Sequence, residues 1–263
     1  MITFEPICNG NSWSGSDWSI TDEDELAALI ARVALGQYRH VLKVLNETDC
    51  IAYAPTQSAL AGAIRMLTAK DPEKPYHRDG WLFQVISWIA ANLQDPETLK
   101  TPPHMIHADK GFDGLHLRLD ASNENVISVI VCEEKATDGP RGKITSQVWR
   151  EFKSLEAGER DNELVSETTT LLAQNSHLDP DRAVYEILWK QARAYRISIT
   201  IGDKNCSNEG RKSLFKGYKN VTPGDDVEKR RAETFHQSKL RAWMKRMAAK
   251  AIQAAREMEA ENV

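Results

Sequence analysis

The sequence predicts an α/β (α+β) protein: a mixed central sheet with flanking helices, a helical N-terminal region and a long C-terminal helix. Three observations carry this. Leu115-His116-Leu117-Arg118-Leu119 alternates apolar and polar residues, as a half-buried strand does. Val126 to Cys132 is an unbroken apolar run, the pattern of a strand covered on both faces. On either side, apolar residues recur at helical spacing. Helices before and after a strand pair imply a sheet packed between helical layers.

The elements follow in order. Thr21 caps a first helix, with Asp22-Glu23-Asp24 placing acids in its first turn and Leu26, Leu29, Ile30 and Val33 on one face. A second helix spans Gln57 to Ala69, with Leu60, Ile64 and Leu67 on a shared face. Lys70 to Pro75 is a loop holding two prolines. Trp81 to Ile89 is strongly apolar, which predicts a buried helix ended by Asp95-Pro96 and Pro102-Pro103. Two strands joined at Asn123-Glu124-Asn125 then form an antiparallel hairpin. Asp138 to Gly142 breaks the chain, a helix follows through Val148, Trp149 and Phe152, and another runs from Arg182 to Ala194. Arg196 to Ile201 alternates as the next strand. The division is 1–74 for the helical N-terminal region, 75–202 for the core, and 203–263 for a basic loop and an amphipathic helix.

A chain of 263 residues, 41% hydrophobic and 27% charged, can bury a sizeable core. No run of eighteen apolar residues occurs and the N-terminus lacks a secretory pattern, so a membrane is not an expected partner. Cys8, Cys50, Cys132 and Cys206 lie far apart with no CxxC spacing, which predicts reduced thiols and a cytoplasmic protein. Charge is unevenly spread. Lys229 to Arg256 holds nine Lys or Arg against Glu233 alone, a net +8, which leaves −12 for the rest of a chain at −4. A basic segment on an acidic body predicts an anionic partner for that segment.

The apolar run at 126–132 ends abruptly on Glu133-Glu134-Lys135. On a strand Glu133 and Lys135 share a face while Glu134 points the other way. Asp113 precedes the first strand of the hairpin, so folding the hairpin brings it beside Glu133 and Lys135. Two converging carboxylates repel unless a cation lies between them. Hard oxygen donors suit Mg²⁺ or Mn²⁺, which would activate water against a phosphodiester, with Lys135 stabilising the developing charge. The tripeptide alone is uninformative, since this composition yields about 2.5 acid-x-Lys matches by chance. Two occur, and the other, Glu151-x-Lys153, falls in a predicted helix, where residues two apart do not face each other. A solvated strand end is the competing explanation.

Asp113 followed by Glu133-x-Lys135 at the end of an apolar strand, between helices, resembles the PD-(D/E)xK nuclease superfamily over residues 75 to 202. The stretch Gly111-Phe112-Asp113-Gly114-Leu115-His116 with Glu133-x-Lys135 is also similar to the small nuclease subunit of Hachiman-type and related antiphage defence systems. The resemblance implies a restriction-endonuclease-like core and a metal-dependent deoxyribonuclease using Mg²⁺ or Mn²⁺. It implies metal ligands at Asp113, Glu133 and the backbone carbonyl of Glu134, and a catalytic Lys135. It further implies a role in antiviral defence beside a larger helicase-like or ATPase subunit. Gln147 resembles the glutamine of a Gln-x-x-x-Tyr motif, although position 151 is Glu. The helix before the hairpin carries Gln84, with Asp79 one turn earlier, where the superfamily often has an acid. A non-catalytic adaptor or sensor built on the same core is the alternative.

Nucleic-acid contacts are expected at Lys212 and Lys216, in a basic loop with aromatics, and at Lys239, Arg241, Lys245 and Arg246, opposite an apolar stripe of Leu240, Met244, Met247, Ala251 and Met258. The same helix would equally pack on the acidic body. His104 and His107 follow Pro102-Pro103, so helical facing as metal ligands is not expected, and they are assigned to surface or packing roles.

Overall fold

The computed structural model describes residues 1–48, 51, 53–107, 111–173, 178–188 and 192–260. The chain opens on a hairpin, β1 (Ile2–Cys8) and β2 (Ser14–Ile20), which the sequence reading had placed in a helical region. Neither strand has a clean apolar alternation, and β2 buries only Trp18 fully. Helices α1 (Glu23–Ala34), α2 (Tyr38–Leu45), α3 (Gln57–Leu67) and α4 (Tyr76–Gln94) follow. Asp22, not Thr21, caps α1 and accepts from the amides of Asp24 and Glu25. Thr21 instead accepts from the N-terminal amine at 2.8 Å.

The short edge strand β3 (Leu99–Lys100) leads to the predicted hairpin, β4 (Gly114–Leu119) and β5 (Val126–Lys135). A helical run follows: α5 (Pro140–Lys143), a π-helical turn (Ile144–Val148), then α6 (Trp149–Glu156). Two more helices, α7 (Asp161–Leu172) and α8 (Pro180–Leu188), precede β6 (Arg193–Ile201). The expected helix to Ala194 therefore stops earlier. Ala194 lies in β6, because every side chain from Arg193 to Ile201 is buried in the sheet. The expected basic loop contains α9 (Asn208–Leu214) and α10 (Tyr218–Val221), and β7 (Arg230–His236) and α11 (Leu240–Ala260) complete the fold.

One seven-stranded mixed sheet runs in the order β1-β2-β7-β6-β5-β4-β3. Neighbours from β2 to β5 pair in parallel, and the outer pairs are antiparallel. Gly15 is required where β2 meets β7, since a Cβ there would lie 1.9 Å from the carbonyl oxygen of Ala232. Each face carries its own core. Val129, Val131, Ile197 and Ile199 meet Ile144, Val148, Phe152 and Leu164 on one side. Phe235 and Trp18 meet Leu26, Ile30, Phe83, Ile86, Met244 and Met247 on the other. From Val129 to Cys132 β5 is buried on both faces, its alternate residues serving opposite sides, whereas Ile127 near its start is exposed.

The divisions at 74/75 and 202/203 do not separate bodies. Strands from all three segments share the sheet, and α1, α3, α4 and α11 share one core.

Candidate active site

The β4–β5 register sets Gly114 opposite Cys132, so Asp113 arrives beside the last residues of β5. Both Asp113 oxygens are held. Gln84 on α4 donates to Oδ1 at 2.7 Å, and the backbone amide of Glu134 donates to Oδ2 at 2.9 Å. The Lys135 ammonium touches the same Oδ2 and lies 2.8 Å from Glu133 Oε2. Asp113, Glu133 and Lys135 thus come together at the C-terminal end of a parallel strand, the usual position of a site in such sheets.

Glu134 points away, as the strand alternation requires. On the opposite face it accepts from Ser87 Oγ at 2.7 Å and faces Arg196 at 3.7 Å. Only its main chain belongs to the pocket side.

The pocket has a volume of about 370 Å³ and is lined by Asp113, Glu133, Lys135, Gln147, Arg150, Glu151, Arg160 and Glu163, with Gly111 at its rim. Gln147 is exposed on the π-helical turn, which gives the helix 140–156 the extra residue often seen where a helix borders a site. Arg160, just before α7, lies 4.3 Å over the Phe112 ring and pairs with Glu163 and Glu151. Arg150, Arg160 and Glu163 were not foreseen. Arg150 lies on α6 beside Gln147, whereas Arg160 and Glu163 follow Gly158, and no local motif marks them.

Burial pushes the Glu133 carboxyl up to about 7, reinforced by the Asp113 charge and opposed by Lys135. Burial works against the charge of Lys135 too, but Glu133 and Asp113 outweigh it and keep the ammonium protonated. Burial raises Glu134 to about 8, with Asp113 adding to the shift and Arg196 opposing it. The strand end is therefore no solvated surface: Glu133 and Glu134 are each 6% exposed.

A divalent cation suits part of this set. Asp113 and Glu133 present hard oxygens to one point, where the Lys135 ammonium now lies, and the amide of Gln84 adjoins them. Among the described residues, no three His, Cys, Asp or Glu side chains gather as a ready-made metal site.

The expected nucleic-acid contacts are distributed differently. Arg241 is committed to Asp79 at 2.7 Å and Asp138 at 2.8 Å, and Arg246 to Glu23 at 3.0 Å. Lys212 pairs with Glu209 at 2.7 Å. Lys216, Lys239 and Lys245 are exposed. Phe215 and Tyr218 are core residues, not platforms for bases, and Trp149 stacks against Tyr218 with ring centroids 4.8 Å apart. Arg246 and Lys250 of α11 clasp α1, because they meet Glu23 and Asp24 at the opening of that helix. His104 and His107 contact the carbonyls of Phe112 and Met66, consistent with packing roles.

The chain is thus a mixed α+β protein with an acid–lysine pocket at one end of its sheet. Compared with protein-family models, curated proteins and solved structures, it has no match in any of the three.

Proposed function

We propose that the protein is a metal-dependent nuclease with a restriction-endonuclease-like core, hydrolysing DNA phosphodiester bonds at the Asp113–Glu133–Lys135 pocket. The observation that carries this reading is the meeting of Asp113, just before β4, with Glu133 and Lys135 at the end of β5 in a highly charged cavity. Asp113 and Glu133, with the main-chain carbonyl of Glu134, would hold Mg²⁺ or Mn²⁺. When bound, the ion supplies a Lewis acid for a phosphate oxygen and acidifies a water molecule.

The remaining roles belong to side chains. Lys135 stabilises negative charge gathering on the phosphoryl oxygens. Gln147, on the wall, orients the attacking water. Arg160 already holds the Glu163 carboxylate through two nitrogens, a geometry that serves a phosphate equally well. Phe112 fixes the plane of that guanidinium from below. Membership in an antiphage system, and a helicase-like or ATPase partner, rest on the family resemblance alone. No helix among the described residues is long and apolar enough to cross a membrane.

The test is cleavage of plasmid and linear DNA with Mg²⁺ or Mn²⁺, comparing wild type with Glu133→Ala, Lys135→Ala and Arg160→Ala. Cutting should require the metal and vanish in the first two variants. Wild type that neither cuts, alone or with a partner encoded beside it, nor binds Mn²⁺ by calorimetry would sink the proposal. One observation favours a second reading, a non-catalytic nucleic-acid or protein adaptor. Lys135 neutralises the two acids internally, and among the described residues no third His, Cys, Asp or Glu completes a metal-holding group with them.

A further inference from the structure

The loop between α3 and α4 borders a cavity of about 440 Å³, lined by Lys70, Lys74, His77, Arg78 and His107. A second cavity of about 300 Å³ shares Ala69, Pro75 and Arg78 with it and extends the depression to Lys245 on α11. One acid, Asp71, lines the groove, and its carboxylate accepts from the Glu73 amide at 3.0 Å. Arg78 is matched by Asp79 at 2.6 Å. Lys70, Lys74 and Lys245 are exposed and meet no acid among the described residues, whereas Arg241, Arg246 and Lys250 on α11 are all paired.

Unmatched cations in a concave site concentrate positive potential, because the surrounding low-dielectric walls focus the field. His107 responds to it. Burial lowers its pKa, its contact with the Met66 carbonyl opposes the shift, and His77, Lys70 and Arg78 lower it further. Tyr76 stands at the rim, 60% exposed, with the Arg241 guanidinium 5.2 Å above its ring.

The groove has a fixed relation to the acid–lysine pocket. Tyr76 and His77 lie on the first turn of α4, and Gln84 of the same helix holds Asp113. At 1.5 Å per residue the first turn of α4 and Gln84 lie about 12 Å apart along the helix axis.

We propose that this groove binds the phosphodiester backbone of a nucleic-acid strand that continues into the Asp113–Glu133–Lys135 pocket. The choice of nucleic acid over other polyanions rests on the nuclease reading, and the exposed Tyr76 ring supports it by offering a face for a base. The strand is held by the α3–α4 loop and Lys245, and the outward face of α9 takes no part.

Binding is measured by fluorescence anisotropy of a labelled single-stranded oligonucleotide on full-length protein carrying Glu133→Gln, in EDTA, so that no cleavage occurs. The Lys70→Glu/Lys74→Glu variant should bind about tenfold more weakly, and the slope of log affinity against log salt should become shallower by about two phosphate contacts. The control Lys43→Glu/Lys204→Glu should change less than about twofold, since neither residue lines the groove. All four lysines are exposed, and unchanged thermal unfolding checks that each variant folds. Equal losses in both variants, or none in the first, would overturn the proposal. So would polyglutamate competing as well as DNA, an outcome that assigns the groove to an acidic polypeptide. Intact binding with no metal-dependent cleavage would sink the nuclease reading and leave the groove standing. Cleavage unaffected by the groove variant would do the reverse.

Discussion

Replacing Lys135 by Met separates a metal site from a simple ion cluster. The two side chains have similar reach, so packing changes little. The ammonium lies against both Asp113 and Glu133, whose side chains are 18% and 8% exposed. Without it, two largely desolvated carboxylates face each other with no cation between them. Removing one partner from a buried ion pair costs about 3–5 kcal/mol. Asp113 keeps its bonds from Gln84 and the Glu134 amide, so the lower end, about 3 kcal/mol, applies here. For a chain of this size that is a fall of about 6–12 °C in Tm. The sign with pH follows from Glu133. Burial and Asp113 raise its pKa and Lys135 holds it back, so the variant's carboxyl takes a proton more readily. Its deficit should be full in mildly alkaline buffer and shrink toward pH 5, as protonation removes the repulsion. Mn²⁺ at about a hundred times its Kd should then return about 2.7 kcal/mol. Wild type should gain less, because there the ion must displace the ammonium. The assay is thermal unfolding in EDTA and in a Mn²⁺ series, for both proteins. A variant that loses stability and gains nothing from Mn²⁺ would refute the metal site while leaving the ion cluster intact.

Two further predictions test the frame around the site. Glu23→Gln should loosen the clasp of α1 on α11. Arg246, Lys250 and Trp243 hydrogen-bond to Glu23 and hold its carboxyl down at about 2, while burial opposes them. At 27% exposure water screens most of the gross effect and leaves about 1 kcal/mol. A depressed carboxyl stabilises above its ordinary value near 4.5. The gap between wild type and variant should therefore be full at neutral pH and close as the pH falls from about 4.5 toward about 2, read from urea midpoints. Gly15→Ala should cost more than about 3 kcal/mol, because its Cβ would overlap the Ala232 carbonyl. Gly139→Ala, with open space around it, serves as the control, and equal urea midpoints for the two would mean that β2 does not pair with β7.

The sequence made the hairpin and its charged end legible because both follow from local rules: period two, a short polar turn and adjacent strands. The same locality kept the sheet's other half hidden. β1 and β2 have no regular alternation because their burial depends on β7, more than two hundred residues away. β7 itself reads as a charged run, yet Arg230 is fully buried, its guanidinium satisfied by the carbonyls of Ser12, Asn11 and Thr222. No window of sequence signals such an arrangement. The basic count from Lys229 to Arg256 was correct as arithmetic but silent about the counter-charges of α11, which lie on α1, on α4 and after β5. Arg160 and Glu163 were missed for the same reason: their approach to Asp113 depends on how α7 turns back over the pocket.

The position of Asp113 is determined largely from the far face of the sheet. On α4, Gln84, Ser87 and Gln94 lie on the stripe facing the strands. Gln84 meets Asp113 at 2.7 Å, Ser87 meets Glu134 at 2.7 Å and lies 3.0 Å from Ser198, and Gln94 meets Glu233 at 3.2 Å and Ser16 at 3.0 Å. The strand partners form a row across the sheet, since Glu134 pairs in register with Ser198 and Ser198 with Glu233. Arg196 sits within this row, donating to Ser87 at 3.1 Å and facing Glu134 and Glu233. An apolar helix–sheet contact tolerates small slides, because dispersion and burial are non-directional. A polar row does not, because each bond lost leaves a buried donor or acceptor unpaired at about 1–3 kcal/mol. A slip of α4 by one residue would break its contacts with Asp113, Glu134 and Glu233 together. The buried polar row thus fixes the register of α4, and through Gln84 it fixes one oxygen of Asp113, while the Glu134 amide fixes the other. Placing a carboxylate to within a fraction of an ångström needs such support, and here it comes from residues that never line the pocket.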